Sequence, residues 1–262
     1  MGKKYEMFKL PENYKLAWQA DFTKPLDTDL WLISDGPRKG GYWSPEQVIL
    51  KDGNLIIRTE YKEKDGKPGY YTGDLHWKNK RSKYGYYEIR CKIDNVRGCW
   101  SAFWLMPDIV DIDNKAQKAQ DGCEIDIFEN AKPYRLQTTL HWDAYTGQKM
   151  KSRRVKELYD GFHTFAVDWK KDGLKFYYDN KMIWHITNPN HISHCPTTLE
   201  MSTEINGFTK NGVPKPNRTF WLGNGIITNK KNKLPYDYII DYVKVYDNGQ
   251  LEWSESDNVI NF

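Results

Sequence analysis

The stretch Gly122-Cys123-Glu124-Ile125-Asp126-Ile127-Phe128-Glu129-Asn130 places three carboxylates within six residues. Side chains alternate along a strand, so Glu124 and Asp126 share one face while Cys123, Ile125 and Ile127 take the other. Glu129 has the wrong parity for the acid face. A β-bulge absorbs one residue and returns it beside the other two. The apolar residues between the acids predict a central, half-buried strand. Crowding there raises at least one carboxyl pKa and leaves another ionised. Glycoside hydrolysis needs that division: one carboxylate attacks or steadies the sugar C1, and one carboxylic acid protonates the leaving oxygen. The plain alternative is a charged edge strand.

The flanking segments favour the chemical reading. In Cys99 to Leu105, alternation puts Trp100, Ala102 and Trp104 opposite Ser101, Phe103 and Leu105. In Tyr84 to Ile93, it puts Tyr84, Tyr86, Glu88 and Arg90 opposite Tyr87, Ile89, Cys91 and Ile93. In Leu136 to His141, Gln137, Thr139 and His141 oppose Leu136, Thr138 and Leu140. Each strand has an apolar face and a face of polar and aromatic groups, which predicts a sheet with a sugar-binding cleft on one side. A single Trp usually packs a core. Trp100 and Trp104 together, beside the acids, are read as cleft residues.

These strands belong to an all-β pattern. Candidate strands recur at Leu55–Thr59, Tyr84–Ile93, Trp100–Met106, Cys123–Glu129 and Leu136–Trp142, then at Phe162–Trp169, Leu174–Tyr178 and Met182–Ile186. Thr198–Ile205, Thr219–Ile227 and Tyr238–Tyr246 complete the set. Lys171-Asp172-Gly173 is a hairpin signal. Short strands with turn residues between them predict a sandwich or barrel. The stretch Asn114 to Gln120 leans helical but lacks an apolar face and is read as a loop. No repeat or linker interrupts the 262 residues, so one domain over 1–262 is expected. Aromatic residues make up 15%, including 11 Trp and 18 Tyr. That excess suggests flat surfaces for sugar rings or bases. A formal charge of +4 is too small to favour nucleic acid. No run approaches the roughly 18 apolar residues of a membrane helix. No apolar signal segment follows Met1. Four cysteines form no disulfide framework, and reduced, mostly buried thiols are expected.

The chain resembles glycoside hydrolase family 16. The stretch from Glu124 to Glu129 matches its E-x-D-x-x-E signature in the bulged form. Ala17-Trp18-Gln19-Ala20-Asp21-Phe22, Gly41-Tyr42-Trp43-Ser44-Pro45, Tyr84 to Arg90, Trp100 to Leu105 and Asp241 to Tyr246 extend the likeness in order along the chain. The resemblance implies a β-jelly-roll of two curved antiparallel sheets with a concave cleft. It also implies an endo-acting retaining hydrolase that needs no cofactor. By position, Glu124 is the nucleophile, Glu129 the general acid/base, and Asp126 the group that hydrogen-bonds the nucleophile. His141 falls where a polar partner of the acid/base is often found. Trp43, Trp100 and Trp104 become sugar platforms. Many relatives carry a structural calcium on the convex side, and Asp241 is the ligand this chain offers.

The bulged form separates the chain from unbulged lichenases. It leaves β-1,3-glucanases, agarases, porphyranases, κ-carrageenases and endo-β-galactosidases. The Gly-Asn-Trp-Pro-Gly loop of many β-1,3-glucanases is missing, and Thr203 to Phe208 occupies that region. The Ser101-Ala102-Phe103-Trp104 wording looks closer to galactan-cleaving members. Galactose carries an axial 4-hydroxyl, so a galactose site needs a polar group, for which His141, Glu204 and Asn206 are available. The expectation is therefore an endo-β-galactosidase-like enzyme, monomeric, acting on a polysaccharide or glycan. It is expected to be secreted or at the cell surface, and to bind neither nucleic acid nor membrane. An endo-β-1,3-glucanase is the alternative, and a lectin-like module without catalysis is the rival from another class. Weaker signals are a zinc-like His191, His194 and Cys195 grouping, a sequon at Asn217, and a basic cluster at Lys78, Lys80, Arg81 and Lys83, read as a solvated loop or a contact for an acidic glycan.

Overall fold

The computed structural model describes residues 9–93, 98–107, 119–132, 135–142, 149–155, 161–216 and 234–256. The expected strand at Thr219–Ile227, the sequon at Asn217 and residues 114–118 of the expected loop lie outside them. Among the described residues the chain forms two large sheets and a small hairpin, linked by three short 3-10 turns. The architecture is the jelly-roll sandwich that the resemblance implies, and one of the two all-β forms that the strand pattern predicts.

The cleft sheet has a continuous run of seven strands. Their order is Lys149–Val155, Arg135–Trp142, Glu124–Lys132, Cys99–Pro107, Thr197–Ile205, Asp74–Trp77 and Trp31–Leu32. Glu124–Lys132 (the acid strand) therefore sits between Cys99–Pro107 (the tryptophan strand) and Arg135–Trp142 (the histidine strand). The back sheet is built on Phe162–Lys170, Gly85–Ile93, Tyr236–Asp247 and Asn54–Lys64 as central neighbours. Its far end, the hairpin of Gly36–Arg38 and Gly41–Trp43, curls round to the end of the Thr197–Ile205 strand of the cleft sheet, where the Gly40 N–H donates to the Ile205 carbonyl.

Between the sheets lies one continuous apolar core. From the cleft sheet come Phe103, Leu105, Ile125, Ile127, Phe128 and Leu140; from the back sheet come Ile89, Phe165, Tyr238, Val243 and Val245, all essentially buried. The Phe128 ring packs 4.4 Å from that of Phe165. Burying a side chain of this kind contributes about 1.5–3 kcal/mol, so this layer fixes which face of each strand turns inward.

Two expectations are corrected here. The Gly85–Ile93 strand alternates as expected, but it belongs to the back sheet. Its polar face points away from the cleft: Glu88 accepts from Tyr86 and Tyr242, and Tyr86 clusters with Tyr14, Tyr177 and Tyr246 on the outside. The basic cluster is no solvated loop either. Lys80–Lys83 is a strand paired with Glu252–Glu255; Arg81 is buried, donating to the carbonyls of Lys78 and Lys80, and Lys83 pairs with Glu252. Much of the aromatic excess packs the interior, since Trp31, Trp43, Trp77, Trp104, Trp142 and Trp169 are all buried.

Candidate active site

The acid strand carries the bulge that its sequence requires. Across to the tryptophan strand, Ala102 pairs with Glu129, Phe103 with Phe128 and Trp104 with Asp126. Ile127 is the extra residue, and it turns into the core beside Phe128. On the other side Glu124 pairs with His141, Asp126 with Thr139 and Glu129 with Gln137. Glu124, Asp126 and Glu129 thus reach one cleft of about 400 Å³, shared with Trp100, Trp104, His141 and Glu204.

The three acids differ in environment. Asp126 is fully enclosed, within hydrogen-bonding reach of both Glu124 and Glu129. Burial first, then the charges of Glu129 and Glu124, push its carboxyl well above the usual range. Carboxyls held this close favour sharing a proton, and the burial of Asp126 favours keeping it there. Glu129 rises to about 7, chiefly through burial and further through Glu124; Thr139 and Lys39 pull in the opposite direction. Its Oε1 accepts from Trp100 Nε1 at 3.0 Å and its Oε2 from Thr139 Oγ1 at 2.7 Å. Glu124 is partly open to solvent. The set provides one carboxyl partly open to solvent, one whose burial favours its protonated form, and one poised to exchange a proton near neutrality.

His141 Nε2 lies 3.3 Å from Asp126 Oδ2, and burial holds the imidazole below its ordinary pKa. Ligand atoms of Glu124, Asp126 and His141 fall within 4.8 Å of one another, a grouping that could hold a metal ion. A cation there would displace the Asp126 proton and cover Glu124, so the chemistry of these donors favours proton sharing.

The tryptophans divide. Trp104 forms part of the cleft wall at 5% exposure, its Nε1 donating to Ser202 Oγ. Trp100 is more open, but Lys39 Nζ sits 4.3 Å over its ring. Trp43 as a sugar platform is corrected: it is 2% exposed, its Nε1 donates to the Thr203 carbonyl, and the Arg38 guanidinium covers its face at 4.8 Å. The close approach of the hairpin turn to the cleft sheet fixes this wall. A Cβ on Gly40 would stand 2.6 Å from the Asn206 carbonyl oxygen.

Glu204 lines the cleft as an anion between two cations. Arg38 Nε lies 2.6 Å from Oε1, and Lys39 pairs with Oε2. Burial alone would raise its carboxyl, but Lys39 and Arg38 outweigh it and hold it below the usual range. Asn206 is buried but does not line the cleft. Sequence reasoning missed Arg38, Lys39, Met106 and Ser202 as cleft residues, and it left Gln137 as one member of a polar face.

The calcium expectation at Asp241 meets a different partner in the structure, and no grouping of metal-binding side chains among the described residues includes Asp241. Asp241 forms an ion pair with Arg90. Calcium needs six to eight oxygens, which this pair does not supply. The zinc-like grouping is dispersed as well: His194 bonds the Tyr84 hydroxyl and His191 packs on the Trp142 ring.

The profile of Glycosyl hydrolases family 16 matches residues 38–219, including every residue of this cleft from Arg38 to Glu204. The chain belongs to family 16. Hydrolases of this family retain anomeric configuration and catalyse without a cofactor. A "Beta-glucanase" of Rhodothermus marinus is 29% identical over 193 residues, covering 67% of this chain and 66% of that protein. A "Keratan-sulfate endo-1,4-beta-galactosidase" of Sphingobacterium multivorum is 25% identical over 92% of this chain and 58% of its own length. Among solved structures, the laminarinase catalytic domain of Thermotoga maritima superposes with TM-score 0.69 at 20% identity, covering 90% of this chain and 99% of that one. A structure from work on endo-acting O-glycanases of the human gut microbiota that initiate mucin breakdown also gives 0.69, at 23% identity over 92% and 93% of the two chains. These two likenesses show the fold. The chain spans 66%, 37% and 64% of the first three curated relatives.

Proposed function

We propose that this chain is an endo-acting, retaining β-glycoside hydrolase of the bulged subgroup, working as one catalytic domain. The observation that carries the reading is the unequal acid trio on one bulged strand. Glu124 attacks the anomeric carbon while Glu129 gives its proton to the departing oxygen, so the glycosidic bond breaks as the glycosyl-enzyme ester forms. Glu129, now ionised, takes a proton from water, which attacks the same carbon and releases Glu124. Asp126 donates its hydrogen bond to Glu124, spreading the negative charge that returns when the ester breaks.

For the substrate, two readings have separate support. A β-galactosidic chain fits the polar wall of His141, Glu204 and Gln137, because buried partners of a hydroxyl reject the epimer that leaves them unpaired. The keratan-sulfate relative aligned over 92% of the chain agrees with it. An endo-β-1,3-glucanase is supported by relatives such as "Glucan endo-1,3-beta-glucosidase A1" of Niallia circulans. A polymeric substrate argues for a secreted or cell-surface protein, acting as a monomer away from membranes and nucleic acid.

The test is release of new reducing ends from laminarin, agarose, κ-carrageenan, keratan sulfate and mucin O-glycans. Cleavage of a galactose-containing chain with laminarin inert supports the first reading, and the reverse promotes the second. Glu124→Gln should abolish cleavage. Glu129→Gln should spare aryl glycosides with good leaving groups far more than polysaccharide, because those need no proton. Glycan binding without any new ends would mark a lectin-like module.

A further inference from the structure

The acid/base carboxyl is held by groups that have no part in the proton transfers described so far. Thr139 is fully buried on the histidine strand and does not line the cleft, so it meets no sugar. Its hydroxyl donates to Glu129 Oε2 at 2.7 Å. The direction of that bond is enforced. Gln137 Nε2 donates to Thr139 Oγ1 at 2.9 Å, occupying the acceptor side of the hydroxyl. A hydroxyl carries one proton, and with Gln137 behind it that proton points at Glu129. The Trp100 indole N–H takes the other carboxylate oxygen at 3.0 Å.

Each carboxylate oxygen offers two acceptor positions. Thr139 and Trp100 use one on each. Asp126 is within reach of a further position, and a departing glycosidic oxygen or an incoming water would meet what remains. We propose that Thr139, its hydroxyl aimed by Gln137, is a positioning residue for Glu129, holding the acid/base in the orientation that exchanges a proton with the substrate and supporting its ionised form between the two steps. The proposal rests on Glu129 being the acid/base, as argued above.

The readout is the pH dependence of kcat/KM on whichever polysaccharide the wild-type chain cleaves. The first step needs Glu129 protonated, so activity falls as pH rises through its pKa. A donor to the carboxylate lowers that pKa, and removing it raises it. The titratable groups facing Glu129 are Asp126, which acts on it as a hydrogen-bond donor, Glu124 on the same strand and Lys39 from the hairpin turn, and all stay in place.

Thr139→Val keeps the shape and the β-branching but lacks the hydroxyl. Its alkaline limb should move up by about one pH unit, with kcat down about tenfold and KM little changed. Thr139→Ser should leave the limb where the wild type has it. A folded Thr139→Val with an unmoved limb overturns the proposal, as does a Thr139→Ser limb that moves as far as the valine variant's. If the valine variant does not fold, Gln137→Met tests the same relay: the freed hydroxyl can turn away, so the limb should move the same way by a smaller amount, and no movement refutes the relay. Glu129→Gln separates the two levels. Equal losses on aryl glycoside and polysaccharide remove the acid assignment itself. The expected unequal loss, with an unmoved limb in Thr139→Val, removes only the role of Thr139.

Discussion

Asp126 and Glu129 lie three residues apart, yet they pair with Trp104 and Ala102, which lie two apart on the neighbouring strand. The additional residue is paid for in the core, where Ile127 and Phe128 are both buried. Carboxyls that strict alternation would send to opposite faces meet in one cleft. The bulge therefore connects packing to chemistry: it is stable because two adjacent apolar side chains point inward, and it matters because Glu129 then faces the cleft.

Deleting Ile127 should remove the bulge without turning Glu129 over. Regular pairing would then run Trp104 to Asp126, Phe103 to the phenylalanine and Ala102 to the glutamate. Losing a buried isoleucine costs about 2–5 kcal/mol, so the melting temperature should fall markedly. The folded deletion variant should still cleave polysaccharide above the level of Glu129→Gln. A folded variant at that background level would show that the bulge sets the carboxyl's position as well as its face.

The pKa of Glu129, raised by burial to about 7, fixes a pH dependence. The protonated form serves the first step, so kcat/KM should decline above about pH 7. Lys39 stabilises the ionised form and so lowers the pKa. Lys39→Met should therefore shift the alkaline limb to higher pH, more visibly at low salt, where the charge is less screened. A limb that stays in place or moves down would show that Lys39 does not act on Glu129.

What the sequence made legible follows from what alternation encodes. It shows which side chains share a face, so the acids, Trp100, Trp104 and His141 were readable together. It does not show which sheet a strand joins. Tyr86, Glu88 and Arg90 alternate as well as any cleft strand, but hydrogen bonding places them on the back of the molecule. Arg38 and Lys39 were invisible for a related reason. They sit at a turn before Gly40 and Gly41, with Lys39 in the left-handed region, and local pattern carries no sign that such a turn docks beside Glu204, over 160 residues away. Trp43 was misread because residue type alone cannot separate an indole under a guanidinium from one open to sugar.

One further carboxyl lies behind the cleft wall and should govern stability. Glu200 pairs in register with Trp104 and His76 and is fully buried. Neither of its oxygens meets an N–H or O–H donor among the described residues, and its neighbour is the carboxyl of Asp74. Asp74 Oδ2 is already engaged by Ser34 Oγ at 2.6 Å and His76 Nδ1 at 2.8 Å. Burial first, then Asp74, drive the Glu200 carboxyl well above its usual range, against the opposing pull of Arg38. The folded state thus holds a proton that the unfolded chain releases near pH 4.3. The contribution of Glu200 to stability is fully present below that pH and is lost as pH rises towards the folded pKa. Glu200→Gln is neutral at every pH, and its amide can donate to Asp74. It should stabilise the protein at pH 8 by about 1–3 kcal/mol, and by much less at pH 5. Denaturant unfolding at the two pH values measures the difference. An equal loss of stability at both would show that Glu200 is matched to its surroundings as an ionised group.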